Sequence, residues 1–172
     1  FMIAFALMIL GGSVTAAPTG YRLVWSDEFS GPALDTRDWN IDTNKRDAAQ
    51  QSSSAVHVAD GILSIRTFTE DGIHYTGFIT TGGKFETAYG YYEARIRFTP
   101  APGEWCAFWL QSNSIGKPMG DPANAGVEID VVEHRAVNHK GEDISKWASI
   151  NMHWDGYKAE HKHIGSHAKP SS

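Results

Sequence analysis

The chain has 172 residues, 41% of them hydrophobic and 20% charged, with a single cysteine, Cys106. This is ordinary globular composition, sufficient for one domain with a substantial core, and one cysteine excludes an intrachain disulfide. The formal net charge of −5 argues against nucleic acid or an anionic membrane surface as a partner, and favours a neutral over a sulfated substrate.

The first segment, residues 1–17, reads FMIAFALMILGGSVTAA and contains no charged residue. An apolar run of about ten residues followed by small residues is typical of a secretory signal peptide, although a hydrophobic first strand is the alternative. The run is too short and too rich in glycine for a membrane span. We therefore predict a protein secreted to the extracellular space or periplasm, with its domain at residues 18–172.

Short β-rich segments separated by turn signals make up the rest of the chain, and no segment has a convincing helical period. The predicted strands lie at residues 22–25, 61–68, 73–80, 91–98, 105–111, 127–133 and 147–154. Turn sequences such as ADG, EDG, TGG and PAPG divide them. Many short strands at this spacing predict an all-β sandwich or barrel.

Three of these strands alternate between an apolar face and a polar, aromatic face. The apolar faces, which we predict to form the core, hold Tyr92, Ala94, Ile96 and Phe98; Cys106 and Phe108; and Ile150, Met152 and Trp154. The opposite faces hold Tyr91, Glu93, Arg95 and Arg97; Trp105, Ala107, Trp109 and Gln111; and Trp147, Ser149, Asn151, His153 and Asp155. A single tryptophan is more often a core residue, but tryptophans grouped with amides and histidine suit a carbohydrate groove, because sugar rings stack on aromatic rings and hydroxyls need hydrogen-bond partners. The candidates for substrate binding are Trp105, Trp109, Asn151 and His153.

Three acids lie in the strand GVEIDVVEHR, where carboxylates are costly to bury. On a regular strand Glu128 and Asp130 share a face, and Glu133 joins them only if a β-bulge accommodates one extra residue. The two glutamates would then start about 13 Å apart along the backbone, and side chains leaning together could reach the roughly 5–5.5 Å of a retaining glycosidase. Since two close carboxylates do not both ionise easily, one glutamate should hold a proton. We predict Glu128 as nucleophile, Glu133 as acid/base and Asp130 as supporting carboxylate.

Two alternatives remain open for these acids: a cation site and a solvated acidic strand at a sheet edge. The β-branched neighbours are unlike a calcium loop, so we predict no metal at these acids and no cofactor, while a structural Ca²⁺ elsewhere stays open. His161, His163 and His167 follow the last predicted strand. Because no fourth ligand at a familiar zinc spacing is visible, we interpret that segment as a solvated loop.

The segment EIDVVE at residues 128–133 resembles the bulged Glu-x-Asp-x-x-Glu signature of glycoside hydrolase family 16. The resemblance extends through LVWSDEFSG, DGILSI, YTGFITTGGKFETAYGYYEARIRF and GEWCAFWL, covering about residues 21–157. It implies a jelly-roll β-sandwich of the concanavalin A-like class and retaining endo-hydrolysis of β-linked glucans or galactans. It implies the same catalytic roles for the three acids, puts Trp105 and Trp109 near the cleft, and makes His153 similar to a histidine that lines it.

The sequence departs from the family pattern at two places. Laminarinase-like members carry Trp-Pro-x-x-Gly before the first glutamate, whereas this chain has GDPANAG and then Val127. The family pattern also continues beyond HKHIGSHAKPSS, so we expect the jelly roll to be incomplete at its C-terminal side.

The sequence therefore predicts a monomeric secreted enzyme that hydrolyses a polysaccharide, most readily a β-1,3-glucan, and has no nucleic-acid partner. The alternatives are a galactan hydrolase of the agarase or carrageenase type and a non-catalytic glycan-binding module on the same fold. Such a module would lack one or both glutamates, and both are present here.

Overall fold

The computed structural model describes residues 18–99 and 101–169. The predicted signal peptide at residues 1–17 lies outside them. The backbone divides into two compact units, the first ending at Phe98 and the second beginning at Thr99. Within the described residues, no helix is both long enough and apolar enough to cross a membrane.

The first unit is built from short strands in three small sheets. Its strands are β1 (Asn40–Ile41), β2 (Lys45–Arg46), β3 (Ala49–Gln51), β4 (Val56–Ala59), β5 (Ile62–Ile65), β6 (Thr67–Glu70), β7 (Ile73–Thr76) and β8 (Ile79–Thr80). The sheet orders are β1-β8, β2-β3-β7-β6 and β4-β5. All pairs are antiparallel except β3 with β7. The side chains of Leu63 and Ile65 on β5 are fully buried, and they form the apolar centre of this unit.

The second unit contains one antiparallel sheet in the order β12-β11-β10-β9. Its strands are β9 (Trp105–Gln111), β10 (Glu128–Arg135), β11 (Ala148–Trp154) and β12 (Lys162–Ala168). One helical turn, α1 (Pro122–Ala125), precedes β10, with Asp121 as its N-cap. Cys106 on β9 is fully buried, which confirms its interpretation as a small core residue.

The predicted strands agree with the structure best in the second unit, where β9 has the predicted bounds and β10 and β11 begin one residue late. Residues 22–25 and 91–98 were predicted as strands and belong to none of the strands in the described residues. A strand needs a hydrogen-bonded neighbour as well as a suitable pattern. The alternation at 91–98 is nevertheless visible, since accessibility alternates residue by residue with Tyr92, Ala94, Ile96 and Phe98 on the less exposed side.

Two residues predicted for the core are exposed. Ile150 and Met152 on β11 are 44% and 38% accessible, and Ile129 and Ile164 on the flanking strands are also exposed. They lie on the face opposite the acids, where Met152 is in register with both Ile129 and Ile164. The described strands of the second unit form a single sheet, so no second layer from this unit buries that face.

Candidate active site

The β-bulge predicted between Asp130 and Glu133 is confirmed. Asp130 pairs with Asn151 and Glu133 pairs with Ser149, so that three steps along β10 match two steps along β11. The register against β9 shifts at the same place. Because side chains alternate between faces, the extra residue returns Glu133 to the face that carries Glu128 and Asp130.

The carboxylate of Glu133 accepts one hydrogen bond on each oxygen. Trp105 Nε1 donates to Oε1 at 2.7 Å and Asn151 Nδ2 donates to Oε2 at 2.6 Å. The two donors come from the strands on either side, β9 and β11, so sheet register places both on the face that carries this carboxylate. Two of the predicted substrate-binding residues therefore contact a predicted catalytic acid directly.

The carboxylate of Glu128 is held through a single oxygen. Gln111 Nε2 donates to Oε2 at 2.5 Å, and the Tyr157 hydroxyl donates to the same oxygen. Gln111 is the direct cross-strand partner of Glu128 on β9. Burial raises the pKa of the Tyr157 hydroxyl, and its hydrogen bond to Glu128 adds to that rise. Tyr157 is therefore a proton donor at any ordinary pH.

Asp130 is the most deeply buried of the three acids, with 4% of its surface accessible. Its Oδ2 lies 3.1 Å from Nε2 of His153. Burial raises the pKa of Asp130 to about 6, and the charges of Glu133 and Glu128 act in the same direction against the opposing effect of His153. Asp130 therefore pairs with His153, and its role as supporting carboxylate for the two glutamates stays a prediction.

The two predicted tryptophans lie on the same face as the acids. Trp109 is in register with Asp130, and Trp105 with Arg135. The guanidinium carbon of Arg135 lies 4.3 Å from the ring centroid of Trp105, a cation–π distance that holds the indole in place. Trp105 keeps 36% of its surface accessible, which leaves part of the ring available for a ligand.

Three histidines form a stacked cluster beside Asp130. The ring centroids of His153, His161 and His163 lie 5.1 to 5.8 Å apart, and His153 Nδ1 lies 2.9 Å from His161 Nε2. The prediction of a loop for this segment is wrong, because residues 162–168 form β12 and His163 pairs with His153. Every residue of β12 is exposed, so the polar pattern of this edge strand resembled that of a loop.

Asn151 is accommodated by a glycine on the neighbouring strand. A Cβ atom on Gly165 would lie 2.2 Å from Asn151 Oδ1, which is far inside van der Waals contact. The two residues are in register on β11 and β12. Gly165 therefore leaves the space that Asn151 needs to reach Glu133.

Glu128, Asp130 and His153 together offer one oxygen or nitrogen ligand each within 4.8 Å of one another. This set differs from the cation site considered from sequence, since His153 takes the place of Glu133. Carboxylate and imidazole donors suit zinc or another divalent transition metal. Two of the three residues also have hydrogen-bond contacts at this place: Glu128 Oε2 accepts from Gln111 and Tyr157, and His153 Nδ1 lies 2.9 Å from His161 Nε2.

Sequence reasoning missed the partners of Glu128. The alternation of β9 places Gln111 on its polar face but gives it no role, and no sequence pattern indicates Tyr157. The signal for Tyr157 is the turn before it, where Asp155 and Gly156 have φ values of 60° and 70°. Asp155 is buried and accepts hydrogen bonds from Gly120 N at 2.7 Å and Lys162 Nζ at 2.8 Å. This fixed turn directs the chain back so that Tyr157 reaches Glu128.

Comparison with known proteins identifies related sequences. The family model described as glycosyl hydrolases family 16 matches residues 36–172. The chain is 32% identical over 152 residues to glucan endo-1,3-beta-glucosidase A1 of Niallia circulans, covering 73% of this chain and 22% of that protein. It is 29% identical over 132 residues to keratan-sulfate endo-1,4-beta-galactosidase of Sphingobacterium multivorum, covering 71% of this chain and 31% of that protein.

A solved structure shows the fold. The laminarinase from Flavobacterium sp. UMI-01 superposes with a TM-score of 0.65 at 28% identity, covering 83% of this chain and 64% of that one. The predicted all-β jelly-roll class is confirmed by this match. The chain spans less than two thirds of the length of each of these three proteins.

Proposed function

The chain belongs to glycosyl hydrolase family 16, and from this premise we propose that it is a retaining, endo-acting glycosidase that cleaves a β-1,3-glucan. The observation that carries the proposal is the bulge in β10, which brings three carboxylates to one sheet face beside two tryptophans. The similarity to a glucan endo-1,3-beta-glucosidase supports the glucan substrate.

In the proposed reaction Glu128 attacks the anomeric carbon while the glycosidic bond breaks, and Glu133 gives its proton to the departing oxygen. Water then attacks the same carbon, Glu133 takes the proton from that water, and the carboxylate of Glu128 leaves. The two displacements together retain the anomeric configuration. Asp130 lies between the two glutamates in sequence, and the negative charges of both raise its pKa. This supports three carboxylates that are close enough to influence one another's protonation.

The surroundings of the acids support the assigned roles. Glu128 accepts from both Gln111 and Tyr157 on Oε2, which leaves Oε1 for bond formation. Glu133 accepts a hydrogen bond from the ring N–H of the exposed Trp105, so its carboxylate lies at the edge of that ring, and a sugar bound against the ring would bring its glycosidic oxygen within reach. We propose Trp105, Trp109, Asn151 and His153 as the residues that bind or orient the polysaccharide.

A galactan is the second candidate substrate. The chain has no tryptophan in the segment before Glu128, where α1 and Gly126 lie instead, and a galactosidase is among the relatives. A tryptophan missing from that side would remove one stacking platform expected of a glucan-specific groove. We further propose that the protein is secreted and that residues 18–172 belong to one catalytic domain, acting as a monomer.

The test is a panel of laminarin, mixed-linkage glucan, agarose, carrageenan and keratan sulfate, incubated with the full-length protein. Chromatography of the products identifies the substrate, and proton NMR of the first-formed anomer identifies retention. Release of oligosaccharides from laminarin supports the glucan proposal, whereas release only from a galactan supports the second candidate. No release from any polysaccharide, with binding retained, would favour a glycan-binding module.

Glu133→Gln tests the acid/base assignment. We expect turnover of an unactivated polysaccharide to fall by about 10²- to 10⁴-fold, because the amide cannot transfer the proton. Glu142→Gln is the matched control, since Glu142 is an exposed glutamate that accepts a hydrogen bond from Asn138 at 2.6 Å. Wild-type turnover in Glu133→Gln would contradict the assignment.

A further inference from the structure

The geometry points to Tyr157 and Gln111 as positioning residues for Glu128: they hold its Oε2, direct its Oε1 to the anomeric carbon, and stabilise the carboxylate when it departs. This inference rests on the proposed function, because it concerns the nucleophile of that reaction. It adds Gln111 on β9 and Tyr157 in the connection between β11 and β12 to the machinery assigned from sequence.

The hydrogen bonds around Oε2 form a closed triangle. Gln111 Nε2 donates to Glu128 Oε2 at 2.5 Å and to the Tyr157 hydroxyl at 2.5 Å, and that hydroxyl donates in turn to Oε2. A primary amide has two N–H groups and a phenol has one O–H, so all three donors are used. A carboxylate oxygen accepts two hydrogen bonds through its two lone pairs, so Oε2 is saturated and Oε1 is left to react.

Both donors are held by the backbone. Gln111 is the cross-strand partner of Glu128, so its side chain emerges on the same face. Tyr157 follows the left-handed turn at Asp155 and Gly156, and its ring lies 5.7 Å from that of His161. Asp155 is buried and ion-paired to Lys162, so the turn has little freedom to carry the hydroxyl away from Glu128.

The consequence is different for the two steps of the reaction. When Oε1 bonds to the anomeric carbon, Oε2 becomes the carbonyl oxygen of the ester and keeps its two donors. When water attacks that carbon, the C–Oε1 bond breaks, its electron pair returns to the carboxylate, and the water proton passes to Glu133. Preoriented donors stabilise the charge that develops on Oε2 in this second step. Their loss should slow the departure of the carboxylate more than its attack.

The experiment compares Tyr157→Phe and Gln111→Met with wild type in the full-length protein, using an aryl β-glycoside of whichever sugar the polysaccharide panel identifies. We expect kcat to fall about tenfold or more in each variant, as for loss of a hydrogen bond to a charged group. KM should fall as well, a burst of released phenol should appear, and mass spectrometry should detect the glycosyl adduct on Glu128. Tyr92→Phe is the matched control, because it removes a tyrosine hydrogen bond to a backbone carbonyl in the first unit.

A wild-type kcat in Tyr157→Phe, or a lower kcat without accumulation of the adduct, would overturn the inference. A second measurement requires no turnover. The phenol absorbance of Tyr157, isolated by subtracting the Tyr157→Phe spectrum, should titrate at lower pH in Glu128→Gln than in wild type, because the anionic acceptor is gone. If the wild-type protein is inactive but the phenol titration of Tyr157 still differs between wild type and Glu128→Gln, only the proposed function is refuted. Identical titrations in the two proteins would refute the contact between Tyr157 and Glu128.

Discussion

Asp130→Asn tests whether the buried acid destabilises the folded protein at neutral pH. The folded-state pKa of Asp130 is raised from 3.8 to about 6, mainly by burial. Between these two values the unfolded chain has lost its proton while the folded chain still holds it, so wild-type stability falls as pH rises through this window. Asparagine has no proton to lose and can still accept a hydrogen bond from His153.

The magnitude follows from the two pKa values. At 1.36 kcal/mol per pH unit, a rise from 3.8 to about 6 corresponds to about 3 kcal/mol in the free energy of unfolding. Asp130 has 4% of its surface accessible, so little solvent screening reduces this figure. We expect Asp130→Asn to gain stability relative to wild type as pH rises from about 4 to 6, by up to about 3 kcal/mol, with a constant difference above pH 6.

The assay is urea unfolding of the full-length protein, followed by tryptophan fluorescence at a series of pH values. Asp155→Asn is the matched control, because Asp155 is equally buried but its pKa is lowered by hydrogen bonds from Lys162 and the Gly120 amide. Its stabilising effect is complete above the unfolded value of 3.8, so this variant should lose a constant amount from about pH 5 to 8. A difference between Asp130→Asn and wild type that stays flat from pH 4 to 7, or declines, would refute the reasoning.

Substitutions at two further positions probe the support of Glu133. Gly165→Ala places a Cβ atom 2.2 Å from Asn151 Oδ1. We therefore expect the free energy of unfolding, measured in urea, to fall by about 2 kcal/mol, and kcat to fall as well. Wild-type values of both would contradict the close packing. Trp105→Phe keeps an aromatic ring but removes the indole donor to Glu133, so kcat should fall about tenfold with KM nearly unchanged. Trp105→Ala removes the ring as well, so it should also raise KM. Equal effects on KM in the two Trp105 variants would show that the ring does not contact substrate.

The bulge could be predicted from sequence because it is a question of parity. Side chains on a strand alternate, and Glu133 has the wrong parity to share a face with Glu128 and Asp130 unless one residue is inserted. The burial of Cys106 was predictable for a similar reason, since it alternates with its neighbours on the apolar side of the strand. Period-two alternation also predicts which residues of β9 and β11 lie on the same face as the acids, including Trp105 and Asn151.

The strand at residues 162–168 could not be predicted in the same way. Its residues are all exposed, so burial imposes no period on them, and an exposed edge strand has the polar composition of a loop. What makes it a strand is the ladder of hydrogen bonds to β11, which is a property of its neighbour. The exposure of Ile150 and Met152 could not be predicted either, because alternation identifies an apolar face without identifying what covers it.

The order of residues along β10, its alternation and its inserted residue are local properties, and they determined which three acids share a face. Only the tertiary structure decided that Oε2 of Glu128 receives donors from Gln111 and Tyr157, which are 17 and 29 residues away along the chain. It also decided that the pKa of Asp130 rises, since desolvation depends on every group packed around a carboxyl. Hydrogen bonds and desolvation act over a few ångströms in space, and strand register and one fixed turn set those distances.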